Sequence, residues 1–155
     1  MASKELVEHL NRALSLELAS VVQYMQHSFL VTGMEREVYR SYFRKQSGES
    51  QEHATTLGDK IVALGGVPTV EPAMIRQSTD LAEMLRQDLA LEREAMEVYM
   101  AAWEACGEEK EHRPVRFQLE ERIYQEQLHI DELEKLTSER KANTVKEKIT
   151  LRQVG

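Results

Sequence analysis

The sequence predicts an all-α protein, built as a four-helix bundle with one long crossover between helices two and three. Two observations favour helices. Glycine and proline are scarce, at 7 and 3 of 155 residues, and apolar residues recur at steps of three and four along four segments. A third observation sets the connectivity. Residues 65–78 have no clear period and are longer than the turn that joins adjacent antiparallel helices, which favours a crossover.

The composition favours a single globular domain over residues 1–155. Hydrophobic residues make up 41% of the chain, and no apolar run approaches the ~20 residues of a membrane span. The first residues carry no apolar signal region, and a lone cysteine, Cys106, excludes an internal disulfide. We therefore expect a cytoplasmic protein with no membrane partner. The net charge of −7 argues against a nucleic-acid partner.

The first predicted helix covers residues 4–32, with Ser3 as its N-cap and Gly33 closing it. Its inward stripe contains one carboxylate, Glu17, and two turns later Tyr24. A charge in that position needs a partner, because an unpaired charge in a core costs several kcal/mol. His9, His27 and His112 fall outside the inward stripes of their helices, so we expect them at the surface.

The second predicted helix runs from Glu35 to Leu64, with His53 in the central slot of its inward face. Gly65 to Pro68 end it. The third begins after Ser78 or Thr79 as N-cap and ends at Gly107, and its stripe has Glu92 at the centre. Tyr99 and Trp103, with Met96 and Met100, are expected to pack the core, and Cys106 is expected to be structural.

The fourth predicted helix carries Pro114 in its first turn and runs to about Ser138. Glu126 and His129, three residues apart, lie one above the other on its apolar face. This pair alone fits either a metal site or a core hydrogen bond. Residues 139–155 are rich in charge and predict a short amphipathic fifth helix or a tail.

The four helices together favour the metal interpretation. Glu17 precedes His53 by 36 residues and Glu92 precedes His129 by 37, so each half offers a helix with an inward Glu followed by one with an inward His. Carboxylates suit Fe(III) and imidazole suits Fe(II). Buried acidic groups at one depth make sense if metal charge offsets them.

One position departs from a complete di-iron site. A second Glu-x-x-His would need Glu at position 50, but the residue is Ser50. Glu49 lies within about 100° of that direction on the helix and is a sixth metal-ligand candidate beside Glu17, His53, Glu92, Glu126 and His129. The alternative is that one metal position is weakened or lost.

These segments resemble the ferritin superfamily, and within it bacterioferritin most closely. Four segments carry the resemblance, which covers roughly residues 4–136: Leu16-Glu17-Leu18 with Gln23-Tyr24, His53-Ala54 with Gly66-Val67-Pro68, the stretch from Met84 to Glu92, and Glu126-Gln127-Leu128-His129-Ile130-Asp131. The resemblance implies a homo-oligomer of dimers, up to a shell of 24 subunits, that oxidises Fe(II) with O₂ or peroxide and stores the mineral.

The resemblance also implies residue roles. The family's ferroxidase ligands fall on Glu17, His53, Glu92, Glu126 and His129, and a tyrosine beside the centre falls on Tyr24, which would hydrogen-bond a ligand carboxylate or donate an electron. A packed core tyrosine is the alternative. The bridging Glu of helix two falls on Ser50. The Met that ligates haem falls on Gln51, which argues against haem.

Three functions remain open. The first is an iron-storage subunit with ferroxidase activity. The second is a non-storage di-iron oxidase or peroxidase of the rubrerythrin-like type, although one cysteine excludes the Cys-x-x-Cys iron domain that rubrerythrins add. The third is a degenerate structural subunit that co-assembles with a complete ferritin, which Ser50 would allow.

Overall fold

Four long helices dominate the computed structural model, which describes residues 4–137. The helices are α1 (Lys4–Leu30), α2 (Arg36–Ala63), α3 (Leu81–Ala105) and α4 (Arg113–Thr137), with a 3₁₀ turn at Lys110–His112. The predicted all-α bundle is confirmed. The Ser3 cap and the fifth helix or tail over 139–155 lie outside the described residues.

The helices alternate in direction around the bundle. α1 packs against α2 and α3, and α3 packs against α4. α1 and α3 are antiparallel, since Glu17 meets Tyr99 while Gln23 meets Asp88. Within residues 4–137, none of the helices combines the length and apolar character that crossing a bilayer requires.

The segment between α2 and α3 is the predicted crossover, and it runs the length of α1. Hydrogen bonds fix it at three heights on that helix, joining Asn11 to Val67, Ser15 to Ala73 and Gln23 to Arg76. Because the crossover returns the chain to the far end, α3 starts beside the end of α1.

The start of α3 differs from the prediction. Its N-cap is Asp80, whose carboxylate accepts a hydrogen bond from the backbone N–H of Glu83 at 3.0 Å. Ser78 instead accepts a hydrogen bond from the Asp80 backbone N–H at 3.0 Å. Both Ser and Asp are good N-caps. The sequence alone therefore does not tell whether Ser78 or Asp80 caps the helix.

The end of α2 requires two glycines. Gly65 has φ of +83°, and the backbone N–H of Gly66 returns to the carbonyl of Ile61 at 2.9 Å, a Schellman closure. A Cβ on Gly66 would lie 2.5 Å from a methyl carbon of Val7. The turn therefore brings the α2 backbone directly onto α1.

The apolar core is divided into two blocks. One contains Leu6, Leu10, Leu57 and Leu119, and the other contains Tyr24, Phe43, Met84 and Leu133, each with further residues. Between them lies a buried layer of polar side chains, namely Glu17, Ser20, Ser50, His53, Glu92 and Glu126. The bundle thus holds these three carboxylates and His53 at mid-height, with apolar packing above and below.

Two of the three histidines expected at the surface are buried. The prediction is wrong for His27, which is 0% exposed, and for His112, which is 5% exposed. His112 Nδ1 donates to the carbonyl of Cys106 at 3.0 Å, because the 3₁₀ turn folds it back under the end of α3. Cys106 is buried, as expected for a structural cysteine.

Candidate metal centre

Five of the six predicted ligand candidates converge in the polar layer. α1 contributes Glu17, α2 His53, α3 Glu92, and α4 both Glu126 and His129. Glu126 is 1% exposed and Glu17 is 3% exposed. Glu126 reaches the layer because it belongs to the same helical stripe as the core residues Leu119, Ile130 and Leu133.

The ligand atoms form two overlapping groups. Glu17, His53 and Glu126 offer one group, and Glu92, Glu126 and His129 the other, with the ligand atoms of each lying within 4.8 Å of one another. Glu126 belongs to both groups. Two cation positions that share one carboxylate are the arrangement that this geometry provides.

Two carboxylates of the centre, Glu126 and Glu92, have pKa values that are shifted in opposite directions. Burial raises the pKa of Glu126 well above its usual value, and the charge of Glu92 raises it further. Burial also acts against ionised Glu92, but the Glu126 carboxyl, the nearby His129 ring and the hydroxyl of Tyr24 outweigh it and hold its pKa at about 2. Without metal, Glu126 therefore keeps a proton facing an ionised Glu92.

Two tyrosines bind the carboxylates in a reciprocal pattern. Tyr24, seven residues after Glu17 on α1, donates to Glu92 on α3 at 2.7 Å. Tyr99, seven residues after Glu92, donates back to Glu17. The hydrogen bond expected for Tyr24 is present, and Tyr99 packs in the core as expected while its hydroxyl also binds Glu17. Burial raises the pKa of both phenols, so both remain donors.

The signal for Tyr99 was available in the sequence. Its spacing from Glu92 equals that of Tyr24 from Glu17, so the echo between the two halves extends to the tyrosines. On two antiparallel helices, that spacing lets each tyrosine reach the carboxylate of the other helix.

Ser50 and Glu49 take different directions from α2. The Ser50 hydroxyl faces the buried layer and lies 2.8 Å from the hydroxyl of Ser20 on α1. Glu49 belongs to neither ligand group within residues 4–137. Its Oε2 lies 2.9 Å from Nε2 of His129, and its side chain is 33% exposed.

Two buried atoms of the centre suit a cation. Among the atoms of residues 4–137, Glu126 Oε2 and His129 Nδ1 find no hydrogen-bond partner. A buried acceptor without a donor costs about 1–3 kcal/mol, and a divalent cation would offset that cost for both. The donor set of three carboxylates and two imidazoles therefore fits iron.

A polar groove of about 590 Å³ between α2 and α4 leads to the centre. Its lining comprises Glu49, Glu52, His53, Thr56, Gln118, Glu121, Arg122, Gln125, Leu128 and His129. Because both histidines of the centre line it, the groove is the open side of an otherwise buried site.

A second buried network lies one turn from the centre. His27 Nδ1 is 3.1 Å from Asp88, and Gln23 donates to the other Asp88 oxygen at 2.8 Å. Gln23 also accepts from the backbone N–H of Arg76. Burial raises the pKa of Asp88 while His27 opposes that rise. This network ties α1, α3 and the crossover together.

Comparison with known proteins points to one family. The profile of the ferritin-like domain matches residues 7–142. The bacterioferritin of Mycolicibacterium paratuberculosis is 30% identical over 84% of this chain and 82% of its own length. A nutrient stress-induced DNA-binding protein of Synechococcus is 32% identical, but the match spans only 58% of this chain and 57% of the relative.

Solved structures agree with the sequence matches. A ferritin-like di-iron-carboxylate protein from Bacillus anthracis has a TM-score of 0.83 and 32% identity, over 87% of this chain and 96% of that one. The bacterioferritin of Rhodobacter capsulatus, with a metal-free dinuclear site and haem iron, has a TM-score of 0.78 and 28% identity over 88% and 86%.

Proposed function

The chain belongs to the ferritin-like domain family, close to bacterioferritin, and from that premise we propose that it is an iron-storage subunit with ferroxidase activity. Two Fe(II) ions are its substrates. They bind between the helices and each gives up one electron to O₂ or peroxide. The observation that carries the proposal is the sharing of Glu126 between two ligand groups.

The proposal assigns a role to each residue of the centre. Glu17 and His53 hold one iron, Glu92 and His129 hold the other, and Glu126 bridges them. The three carboxylates offset most of the charge of two divalent ions, which makes their burial tolerable. Tyr24 and Tyr99 fix the two terminal carboxylates by hydrogen bonds, and the proposed catalytic role of Tyr24 acts through its contact with Glu92.

The wider setting follows from the family. We propose a cytoplasmic homo-oligomer built from dimers, up to the 24-subunit shell, with the mineral inside. Haem is not part of the proposal, because the position of the haem-ligating Met carries Gln51.

The test is iron oxidation in air by the metal-free protein and by two variants on α4. Glu126→Gln removes the shared carboxylate, and Glu132→Gln changes an exposed residue of the same helix. We expect the unmodified protein and Glu132→Gln to oxidise Fe(II) alike, and Glu126→Gln to fall to the rate of iron in buffer. Equal rates in all three would remove the ferroxidase assignment.

A second candidate is a di-iron oxidase or peroxidase without storage. Its support is the similarity to the Bacillus anthracis protein described as a ferritin-like di-iron-carboxylate protein. Mass in solution separates the candidates, since a shell approaches 24 copies and an oxidase about two. Co-assembly with a complete ferritin, the structural alternative, predicts no oxidation by this chain alone.

A further inference from the structure

The two histidines of the centre both turn Nδ1 to its buried carboxylates, but His129 has a further carboxylate at its second ring nitrogen. His53 presents Nδ1 to the centre, at 3.2 Å from Glu17 and 4.0 Å from Glu126. His129 also has Nδ1 on that side, at 3.8 Å from Glu92, but its Nε2 makes a hydrogen bond of 2.9 Å with Glu49. In these four contacts, His129 has carboxylates at both ring nitrogens, whereas His53 has them at Nδ1 alone.

The chemistry of imidazole makes that contact selective. A neutral ring carries one N–H and one lone pair, and an ionised carboxylate can only accept a hydrogen bond. The hydrogen bond to Glu49 consequently keeps the proton on Nε2. The lone pair then lies on Nδ1, the buried atom that has no hydrogen-bond partner within residues 4–137.

The location of Glu49 explains why it acts on the histidine rather than on the cation. It lies at the edge of the polar groove with its side chain one-third exposed, and Lys45 approaches its other oxygen at 3.9 Å. The inward position one residue later is filled by Ser50, whose hydroxyl pairs with Ser20. Glu49 thus contacts His129 from the side opposite the buried carboxylates.

We propose that Glu49 is a positioning residue, which fixes the orientation and the tautomer of His129 so that Nδ1 faces the second cation position. This inference rests on the proposed function and changes the role of Glu49 from ligand to support. Carboxylate–histidine pairs of this kind orient metal ligands, and their loss typically weakens metal affinity about 10- to 100-fold.

The test compares three variants of α2. Glu49→Leu removes the acceptor, Glu49→Gln keeps an acceptor oxygen without the charge, and Glu52→Leu alters a second exposed carboxylate that lines the same groove. The first measurement is the ¹⁵N NMR signal of the His129 ring in the metal-free protein, above the pH at which the ring titrates. The second is Co(II) binding, followed by visible absorption.

We expect the Nε2–H tautomer of His129 in the unmodified protein, in Glu49→Gln and in Glu52→Leu. In Glu49→Leu we expect a mixture of tautomers and one of two Co(II) ions bound about 10- to 100-fold more weakly. If Glu49 were a ligand, Glu49→Gln would lose Co(II) as Glu49→Leu does, which would overturn the inference.

The outcomes separate this inference from the function on which it rests. An unmodified protein that binds no Co(II) contradicts the di-iron centre itself. Two bound ions, with Glu49→Leu unchanged in affinity and tautomer, leave the centre intact and refute the role of Glu49.

Discussion

At the scale of single residues, position 50 distinguishes this centre from a complete set of ligands. Ser50 is 6% exposed and its hydroxyl pairs with Ser20, so the polar layer has filled the place of a carboxylate with two neutral groups. A neutral pair costs little to bury when its hydrogen bond is made. The metal-free fold therefore benefits from the same substitution that removes a ligand.

Ser50→Glu should therefore have opposite effects on stability without metal and with metal. In metal-free protein, the added buried carboxylate should lower the free energy of unfolding by about 3 kcal/mol. With saturating Co(II), much of that loss should return, and the rate of Fe(II) oxidation should rise. Thermal unfolding with and without Co(II) measures the first effect and an oxidation assay the second.

Ser50→Gln is the matched control, since it adds similar bulk without charge. It should destabilise the protein equally with and without Co(II). If Ser50→Glu also responded equally in both conditions, position 50 would not face a cation site.

The residues also show what the sequence could and could not predict of the centre. Glu17, Glu92 and Glu126 were recognisable because a carboxylate in an apolar stripe is conspicuous. The hydrogen-bonding role of Tyr99 is harder to recognise, because a tyrosine in a stripe is ordinary core until its spacing from Glu92 is compared with that of Tyr24 from Glu17. His27 was misplaced because its partner, Asp88, is on another helix, and no local pattern reveals a pairing across 61 residues.

At the scale of the elements, the glycine turn that closes α2 brings the end of that helix into contact with α1. Gly66 allows the turn to touch Val7 of α1, and the crossover then follows α1 in register. Helix boundaries were predicted within two residues, since apolar period and glycine stops are local signals. The Asp80 cap was missed because three adjacent residues, Ser78, Thr79 and Asp80, could each have served.

The glycines of α2 give a paired prediction. Gly66→Ala should lower the free energy of unfolding by about 1–3 kcal/mol, because the new methyl group overlaps Val7. Gly58→Ala lies within the helix, and outside the helix's own backbone no atom comes within 4 Å of the place that its methyl group would take. It should raise the free energy of unfolding by about 0.5–1 kcal/mol. Urea unfolding of both variants measures the difference.

Two further results would test this account of the turn, one against it and one for it. Equal stabilisation by both substitutions would mean that the approach to Val7 is not tight. Recovery of the Gly66→Ala loss by Val7→Ala would confirm that the contact is the cause.

At the scale of the whole molecule, the bundle is two apolar blocks joined through a charged layer. Contacts across that layer are made by side chains from all four helices, so its charge state affects the stability of the entire fold. The fold class could be predicted from periodicity, but this coupling could not, because it depends on which carboxylate keeps a proton. Glu92 and Glu126 look alike in sequence and differ only through their neighbours.

The charged layer predicts that the stability of the metal-free protein depends on pH, and that bound metal offsets this dependence. The raised pKa of Glu126 gives the metal-free protein stability below the ordinary Glu value of 4.5, and this stability is lost as pH rises through the folded pKa. The lowered pKa of Glu92 acts in the opposite sense, giving stability above 4.5 that is lost toward pH 2. Above 4.5, ionisation of Glu126 therefore lowers the stability, and above 6.5 the raised pKa of His129, due to Glu92 and Glu49, adds a second decline.

Glu126→Gln isolates this effect, because an amide resembles the protonated acid and cannot ionise. In chelator, the unmodified protein should lose up to about 1.4 kcal/mol of stability for each pH unit through the titration of Glu126. The variant should lack that loss and keep only the decline due to His129, which makes it the more stable protein at high pH. With Co(II) at about 100 times its Kd, the unmodified protein should gain about 2.7 kcal/mol and become the more stable. Denaturant unfolding from pH 4 to 9, with Glu132→Gln as control, measures which of the two proteins has the larger free energy of unfolding, without and with Co(II). If Glu126→Gln remained the more stable protein after Co(II) is added, the polar layer would not bind the metal through Glu126.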